Sequence, residues 1–175
     1  FNLAMDKQRE QSRKNFVGSG SKAIDSIYFD LKNNLKNTEF LGYTQNTAQA
    51  IVQAIIFNDE NVKEKDNGKV LVITNQTPFY GESGGQVGDR GTIKGKDFQG
   101  NVLDTKKLFG ELILHEVEII SGIILEQMEV ELKIDVDYRN KIRANHSATH
   151  LLHAALRNVL GTQVVQKGSI VLDTK

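Results

Sequence analysis

The chain has 175 residues, enough for one medium domain or two small ones around an apolar core. Lys+Arg and Asp+Glu both number 22, so the formal net charge is zero, which argues against a surface coated in positive charge for gripping nucleic acid. With no cysteine there is no disulfide framework and no thiolate metal ligand, and the longest apolar stretch, around Ala54-Ile55-Ile56-Phe57, is too short to span a bilayer as a helix.

The chain opens on Phe1 without a basic-then-apolar leader and closes on Asp173-Thr174-Lys175 just after an apolar run. Both ends are therefore expected to be cut from something longer, and a cytoplasmic, non-membrane origin is expected. Residues 1–37 are polar and helix-permissive. Ala4-Met5-Asp6-Lys7-Gln8-Arg9-Glu10 makes a strong helical opening, and Gly18-Ser19-Gly20-Ser21 interrupts it. Ile24, Ile27, Tyr28 and Leu31 then return at helical spacing. This predicts a helix, a break and a second helix, together a linker between domains.

Residues 38–136 change to short strands. Phe40 to Tyr43, Ala50 to Ile56, Val70 to Ile73 and Gly122 to Leu125 are β-rich, and Val130 to Val136 alternates apolar with polar. Turn residues such as Asp66-Asn67-Gly68 fall between them. Many short, closely spaced strands predict a small antiparallel β-barrel. Inside it, Thr77 to Gly91 concentrates five glycines and the single proline of the chain. It lacks the Gly-Lys-Ser/Thr of a phosphate-cradling loop, and no βαβ unit surrounds it. Its glycines suit left-handed turns or close backbone approach between strands, and a loop that contacts a ligand is the other reading.

Residues 137–175 become helical up to Leu160, with Gly161 suited to a C-cap and Val164-Val165 and Ser169 to Leu172 as following strands. This segment carries a net +4 and leaves −4 for the rest, so it either meets phosphate locally or is a solvated helix face. Three of the four histidines lie in His146-Ser147-Ala148-Thr149-His150-Leu151-Leu152-His153. On a helix His146 and His150 are about 40° apart around the axis, and His153 returns to about 20° on the other side of His146. An i, i+4 histidine pair can put two imidazole nitrogens on one metal, although zinc takes three or four protein groups. The alternative is a solvent-facing surface rich in histidine. No glutamate follows His146, which argues against a zinc-protease helix.

Taken together, these stretches resemble the alanyl-tRNA synthetase family. The opening Phe1 to Arg13 resembles the helix leading into that family's editing region. Thr77 to Gly91 is similar to its glycine-rich stretch, and Arg143 to Gly168 to its histidine-bearing helix and following Gln-Lys-Gly-Ser strand. Free-standing editing proteins share the barrel and the histidine motif, but the leading helix and His153-Ala154-Ala155-Leu156-Arg157 point to the synthetase.

The resemblance implies an α+β fold: a helical linker, a β-barrel and the first, incomplete part of an editing domain. It implies hydrolysis of tRNA(Ala) mischarged with serine or glycine, within an enzyme that elsewhere uses ATP and magnesium to attach alanine. Carried over, His146 and His150 are two of four zinc ligands, the others being a cysteine and a histidine expected past Lys175. Thr149 and Gln166 fall in the catalytic pocket, and Gly84, Gly85, Gln86, Arg143 and Lys167 on the tRNA, with no DNA involved. On this reading the isolated chain is inactive or weak. Against it stand a non-catalytic tRNA-binding barrel, a free-standing deacylase and a metal-dependent hydrolase of small substrates.

Overall fold

The computed structural model describes residues 22–109 and 112–166. The elements in chain order are helix α1 (Lys22–Asn34), strands β1 (Glu39–Phe40), β2 (Thr47–Phe57), β3 (Glu60–Val62), β4 (Glu64–Lys65), β5 (Lys69–Thr74) and β6 (Gln76–Thr77). Then come β7 (Gly91–Gly95), β8 (Phe98–Leu108), β9 (Leu112–Gly122), β10 (Ile124–Leu125), β11 (Glu129–Ile134) and helix α2 (Val136–Leu160). Among the described residues no helix is long and apolar enough to cross a membrane.

Six strands close into an antiparallel barrel in the order β2, β5, β9, β8, β7, β11 and back to β2. The closing ladder runs from Glu129 opposite Ile51 to Lys133 opposite Thr47. Closure removes the unpaired edges that a sheet of this size would otherwise expose. β11 shows why its sequence alternates: Val130, Leu132 and Ile134 point into the barrel and are at most 3% exposed, while their neighbours face outward. Val52, Ile55, Val70, Val72, Phe79 and Ile93 fill the same interior.

β2 departs from alternation. Its register with β5 shifts between Val52 and Ala54, and beyond the shift Ala54, Ile55 and Ile56 are all buried. Ile55 stays in the barrel, whereas Ala54 and Ile56 lie under α1 with Ile73, Leu112 and Leu114. Leu31 of α1, 7% exposed, completes this outer cluster, which explains the helical spacing of Ile27, Tyr28 and Leu31. The linker helix is thus packed on the barrel.

Of the six barrel strands, β7, β8 and β9 were not expected from the sequence, nor were the short strands β3, β4 and β6. β8 shifts register against β9 between Val102 and Asp104, so its inward residues do not keep a period of two. In β9, Leu112 to His115 are buried consecutively because the barrel covers one face and α1 the other. The run Phe40 to Tyr43 is strand only as far as Phe40. Beyond it the amides of Thr44 and Gln45 both donate to the Leu41 carbonyl, making a turn. The run Gly122 to Leu125 is split at Gly122, whose φ is +77°.

α2 begins where Asp135 caps it: the side chain accepts from the Tyr138 amide at 2.9 Å. Only Tyr138, Arg139 and Ile142 are buried along it. Leu151, Leu152 and Val159 are 72%, 61% and 81% exposed, so the apolar side of the helix lies largely uncovered by described residues. Gly161 ends it with φ +102°, its N–H donating to the Arg157 carbonyl. Val164 and Val165 were expected as a strand but form none, since no described segment offers them a ladder. The expected first helix, Lys167 and the strand Ser169 to Leu172 lie outside the described residues.

Candidate functional site

Helix α2 is fixed to the barrel by one buried arginine. Arg139 Nε donates to both Asp89 carboxylate oxygens, at 3.2 and 3.0 Å, and Nη2 to the same carboxylate. Nη1 donates to the Gly42 carbonyl at 3.0 Å, and Nη2 also to the Pro78 carbonyl. Asp89 in turn accepts from the Tyr80 amide at 2.6 Å, and is 2% exposed. A buried charge pair is tolerable only when its remaining donors and acceptors are satisfied, and here carbonyls and an amide do so. Neither residue was singled out from the sequence, where Arg139 was only one of several basic residues after Asp137 and Asp89 one residue within the glycine-rich stretch.

The glycine-rich stretch is held by this clamp. Ser83 and Gln86 exchange both backbone hydrogen bonds across Gly84 and Gly85, whose φ values are +61° and +82°. Positive φ at both central residues is the requirement of a type I′ turn, which glycine meets without steric cost. Gly88 serves close approach instead, since a Cβ there would lie 1.9 Å from the Thr105 carbonyl oxygen. The stretch is therefore a turn with an exposed tip at Gly84 and Gly85, as glycine chemistry suggested, and it brings Gln86 toward α2. Gln86 and Arg143 line one recess of about 270 Å³ with Phe40, Tyr43 and Tyr80.

Further along α2, His146 Nε2 and His150 Nε2 face each other at 2.8 Å, with ring centroids 4.7 Å apart. At that distance one nitrogen carries a proton and donates to the other. Two nitrogens on one tetrahedral zinc, each about 2.0–2.1 Å from it, are about 3.3 Å apart, so a small side-chain rotation admits the ion. The pair thus fits zinc as two converging nitrogen donors. It is no complete set: no three metal-ligating groups gather among the described residues. His146 Nδ1 is buried without a partner, so no described acceptor locks the tautomer that leaves Nε2 free to bind metal.

Beside the pair, the chain after Gly161 folds back along the helix and forms a recess of about 160 Å³. Thr149, Leu152, His153 and Leu156 line it from α2, and Val164, Val165 and Gln166 from the returning segment. Thr149 and Gln166, distant in sequence, are therefore brought together. The Thr149 hydroxyl donates to the Asn145 carbonyl at 2.9 Å, which leaves its oxygen free to accept. His153 joins them with a buried Nε2 that has no partner. Its place was legible only as a third histidine on the helix.

His115 has the opposite character. It is 0% exposed, with Nδ1 2.9 Å from the Val72 carbonyl and Nε2 2.8 Å from Thr77 Oγ1. A carbonyl can only accept, so Nδ1 carries the proton, and Nε2 accepts from the threonine hydroxyl. Burial holds its pKa down at about 4, with the Val72 hydrogen bond opposing. It is a neutral structural group.

Comparison with known proteins gives a consistent family. The description "tRNA synthetases class II (A)" matches residues 1–138. An alanine–tRNA ligase of Mesorhizobium japonicum is 45% identical over 172 residues, covering 98% of this chain and 19% of the relative. Ligases of the same name from a Chelativorans species and from Rickettsia massiliae are each 46% identical, covering 98% and 99% of this chain. The chain spans 19–20% of the length of these curated relatives.

Proposed function

The chain belongs to the class II (A) tRNA synthetase family, and we infer from that membership that it is part of an alanine–tRNA ligase and carries the start of its editing site. The reaction is hydrolysis of the ester joining serine or glycine to the terminal ribose of tRNA(Ala). A pocket built for alanine separates such close competitors by only about 10², so a second, hydrolytic site is the physical remedy. Attachment of alanine with ATP and magnesium belongs, on this reading, to the rest of the ligase.

The observation that carries the inference is the facing pair His146 and His150 next to the recess of Thr149, His153 and Gln166. The pair would hold zinc, with further ligands from outside the described residues. The chemistry such a zinc would supply is polarisation of a carbonyl oxygen or a lowered pKa of a water. Thr149, its proton directed to Asn145, accepts a hydrogen bond from the substrate's ammonium or from the serine hydroxyl. The Gln166 amide donates and accepts opposite it. His153, whose buried Nε2 has no described partner, closes the recess beside them. Water adds to the ester carbonyl carbon, the bond to the ribose oxygen breaks, and that oxygen leaves with a proton. The recess of about 160 Å³ suits a small amino acid.

The test is turnover of Ser-tRNA(Ala) with zinc present, by this chain and by one extended through the expected cysteine and histidine. Hydrolysis by the extended chain that spares Ala-tRNA(Ala) and is lost in His146→Ala supports the inference. If the extended chain binds tRNA but hydrolyses neither ester, the editing function fails and a non-catalytic tRNA-binding barrel takes its place.

A further inference from the structure

The recess between the barrel and the start of α2 has a wall chemistry that the hydrolytic site does not use. Tyr43 is 89% exposed, an unusual position for an aromatic ring that the barrel core does not need. It is nevertheless held. Phe40 meets it in a T-shaped contact at 5.0 Å, and Phe40 also approaches Tyr80 at 6.2 Å. The turn carrying Tyr43 is pinned by the Thr44 and Gln45 amides on Leu41 and by Arg139 on the Gly42 carbonyl. A ring carried on a hydrogen-bonded turn loses less entropy when a planar ligand stacks on it than one on a loose segment.

The opposite wall supplies polarity and charge. Gln86 stands at the end of the Gly84–Gly85 turn and offers an amide that donates and accepts. Arg143 is exposed, one turn beyond Arg139 on α2, and no described carboxylate pairs with it. Arg139 also borders the recess, but its donors are occupied by Asp89, Gly42 and Pro78. No acidic residue is among the described residues that line the recess. Aromatic faces, one edge-reading amide and one available guanidinium suit an unpaired nucleotide, with base on ring and phosphate on arginine. A duplex, whose bases are already stacked, cannot use the ring.

We propose that this recess binds one unpaired nucleotide of an RNA strand, its base stacked on Tyr43, its base edge on Gln86 and its phosphate on Arg143. The proposal rests on the reading of the chain as a tRNA-handling part of a ligase and adds where the strand is gripped. Arg143 and His146 are three residues apart on one helix, about 4.5 Å along its axis. A strand leaving the recess along α2 would reach the histidine pair within one turn of the helix.

A single-stranded RNA tetranucleotide containing 2-aminopurine reports stacking by fluorescence, titrated against this chain at several salt concentrations. Tyr43→Ala is expected to weaken binding about tenfold with no change in unfolding midpoint, and Tyr43→Trp to retain it. Arg143→Gln is expected to weaken binding and to lower the salt slope by roughly 0.7. If the oligonucleotide binds wild type, Tyr43→Ala and Arg143→Gln equally, the recess is not the site, and the tRNA reading stands. If neither the oligonucleotide nor tRNA(Ala) binds, both readings fall. Equal affinity for a blunt RNA duplex overturns the unpaired-nucleotide assignment. Competition by free AMP at the oligonucleotide's own Kd makes the recess a mononucleotide site and overturns the strand assignment.

Discussion

Histidine and arginine each occur in two kinds of surrounding in this molecule, enclosed in the barrel and its junction with α2 or displayed along the exposed face of α2, and the two are opposed. His115 is enclosed, with each ring nitrogen matched to one partner, and Arg139 is 8% exposed with its donors engaged. His146 and His150 have mainly each other, His153 has an unpartnered nitrogen, and Arg143 meets no described carboxylate. Satisfied groups hold a structure, whereas groups with unused donor or acceptor capacity remain able to meet a ligand. The contrast separates the residues that build this molecule from those that would act in it.

The largest effect that could break the contrast is on Arg139. Arg139→Ala leaves Asp89 buried without its counter-charge, and about 3–5 kcal/mol of stability should be lost. Urea unfolding measures it, with Arg143→Ala beside it expected to stay within about 0.5 kcal/mol. Equal effects at both arginines would dissolve the distinction between clamp and free cation.

Next in size is the acid dependence set by His115. Its pKa is about 4 in the folded barrel, against 6.5 for an ordinary histidine. Between those values the unfolded chain takes up a proton that the folded barrel refuses. Its contribution is therefore complete above pH 6.5 and is lost as pH falls toward 4, by up to ~3 kcal/mol. Unfolding midpoints measured across that window should slope less steeply in His115→Gln than in wild type.

A smaller effect is expected at the turn tip. Gly84 has φ +61° and open space where a Cβ would stand, so Gly84→Ala adds only backbone strain, about 1 kcal/mol. Calorimetric Tm values check it. A much larger loss would mean that the tip is packed against something. Smallest is His146→Ala, which should change stability by less than about 0.5 kcal/mol while weakening zinc uptake, read by equilibrium dialysis against the metal. A large loss of stability with unchanged zinc uptake would make His146 structural like His115.

Much of this was legible in the residues. The alternation of Val130 to Ile134, the helical return of Ile27 and Leu31 and the facing of His146 and His150 follow from fixed periods of 2 and 3.6, and the cap at Gly161 from glycine's freedom at positive φ. β8 and β9 did not announce themselves, because a register shift and burial on two faces erase alternation. Phe40 to Tyr43 misled in the other direction, since a β-rich composition cannot show that the chain turns at Leu41. Of the candidate site, the histidine helix, Thr149 and Gln166 were named from the residues, and the last two line one recess. The clamp of Arg139 on Asp89, fifty residues apart in sequence, was not.

Local order is dictated by steric and periodic rules that act over a few residues, so the sequence by itself determined which helix carries the histidines and that the glycine-rich stretch breaks the strand pattern. Juxtaposition of distant residues depends on how the barrel closes. Tertiary structure alone decided that the His115 imidazole is neutral and enclosed, that Arg139 is immobilised while Arg143 is free of any described carboxylate, and that Tyr43 stands exposed opposite Gln86. The physical reason is that burial and the saturation of hydrogen-bonding groups are properties of a packed surrounding, which no single stretch of chain contains.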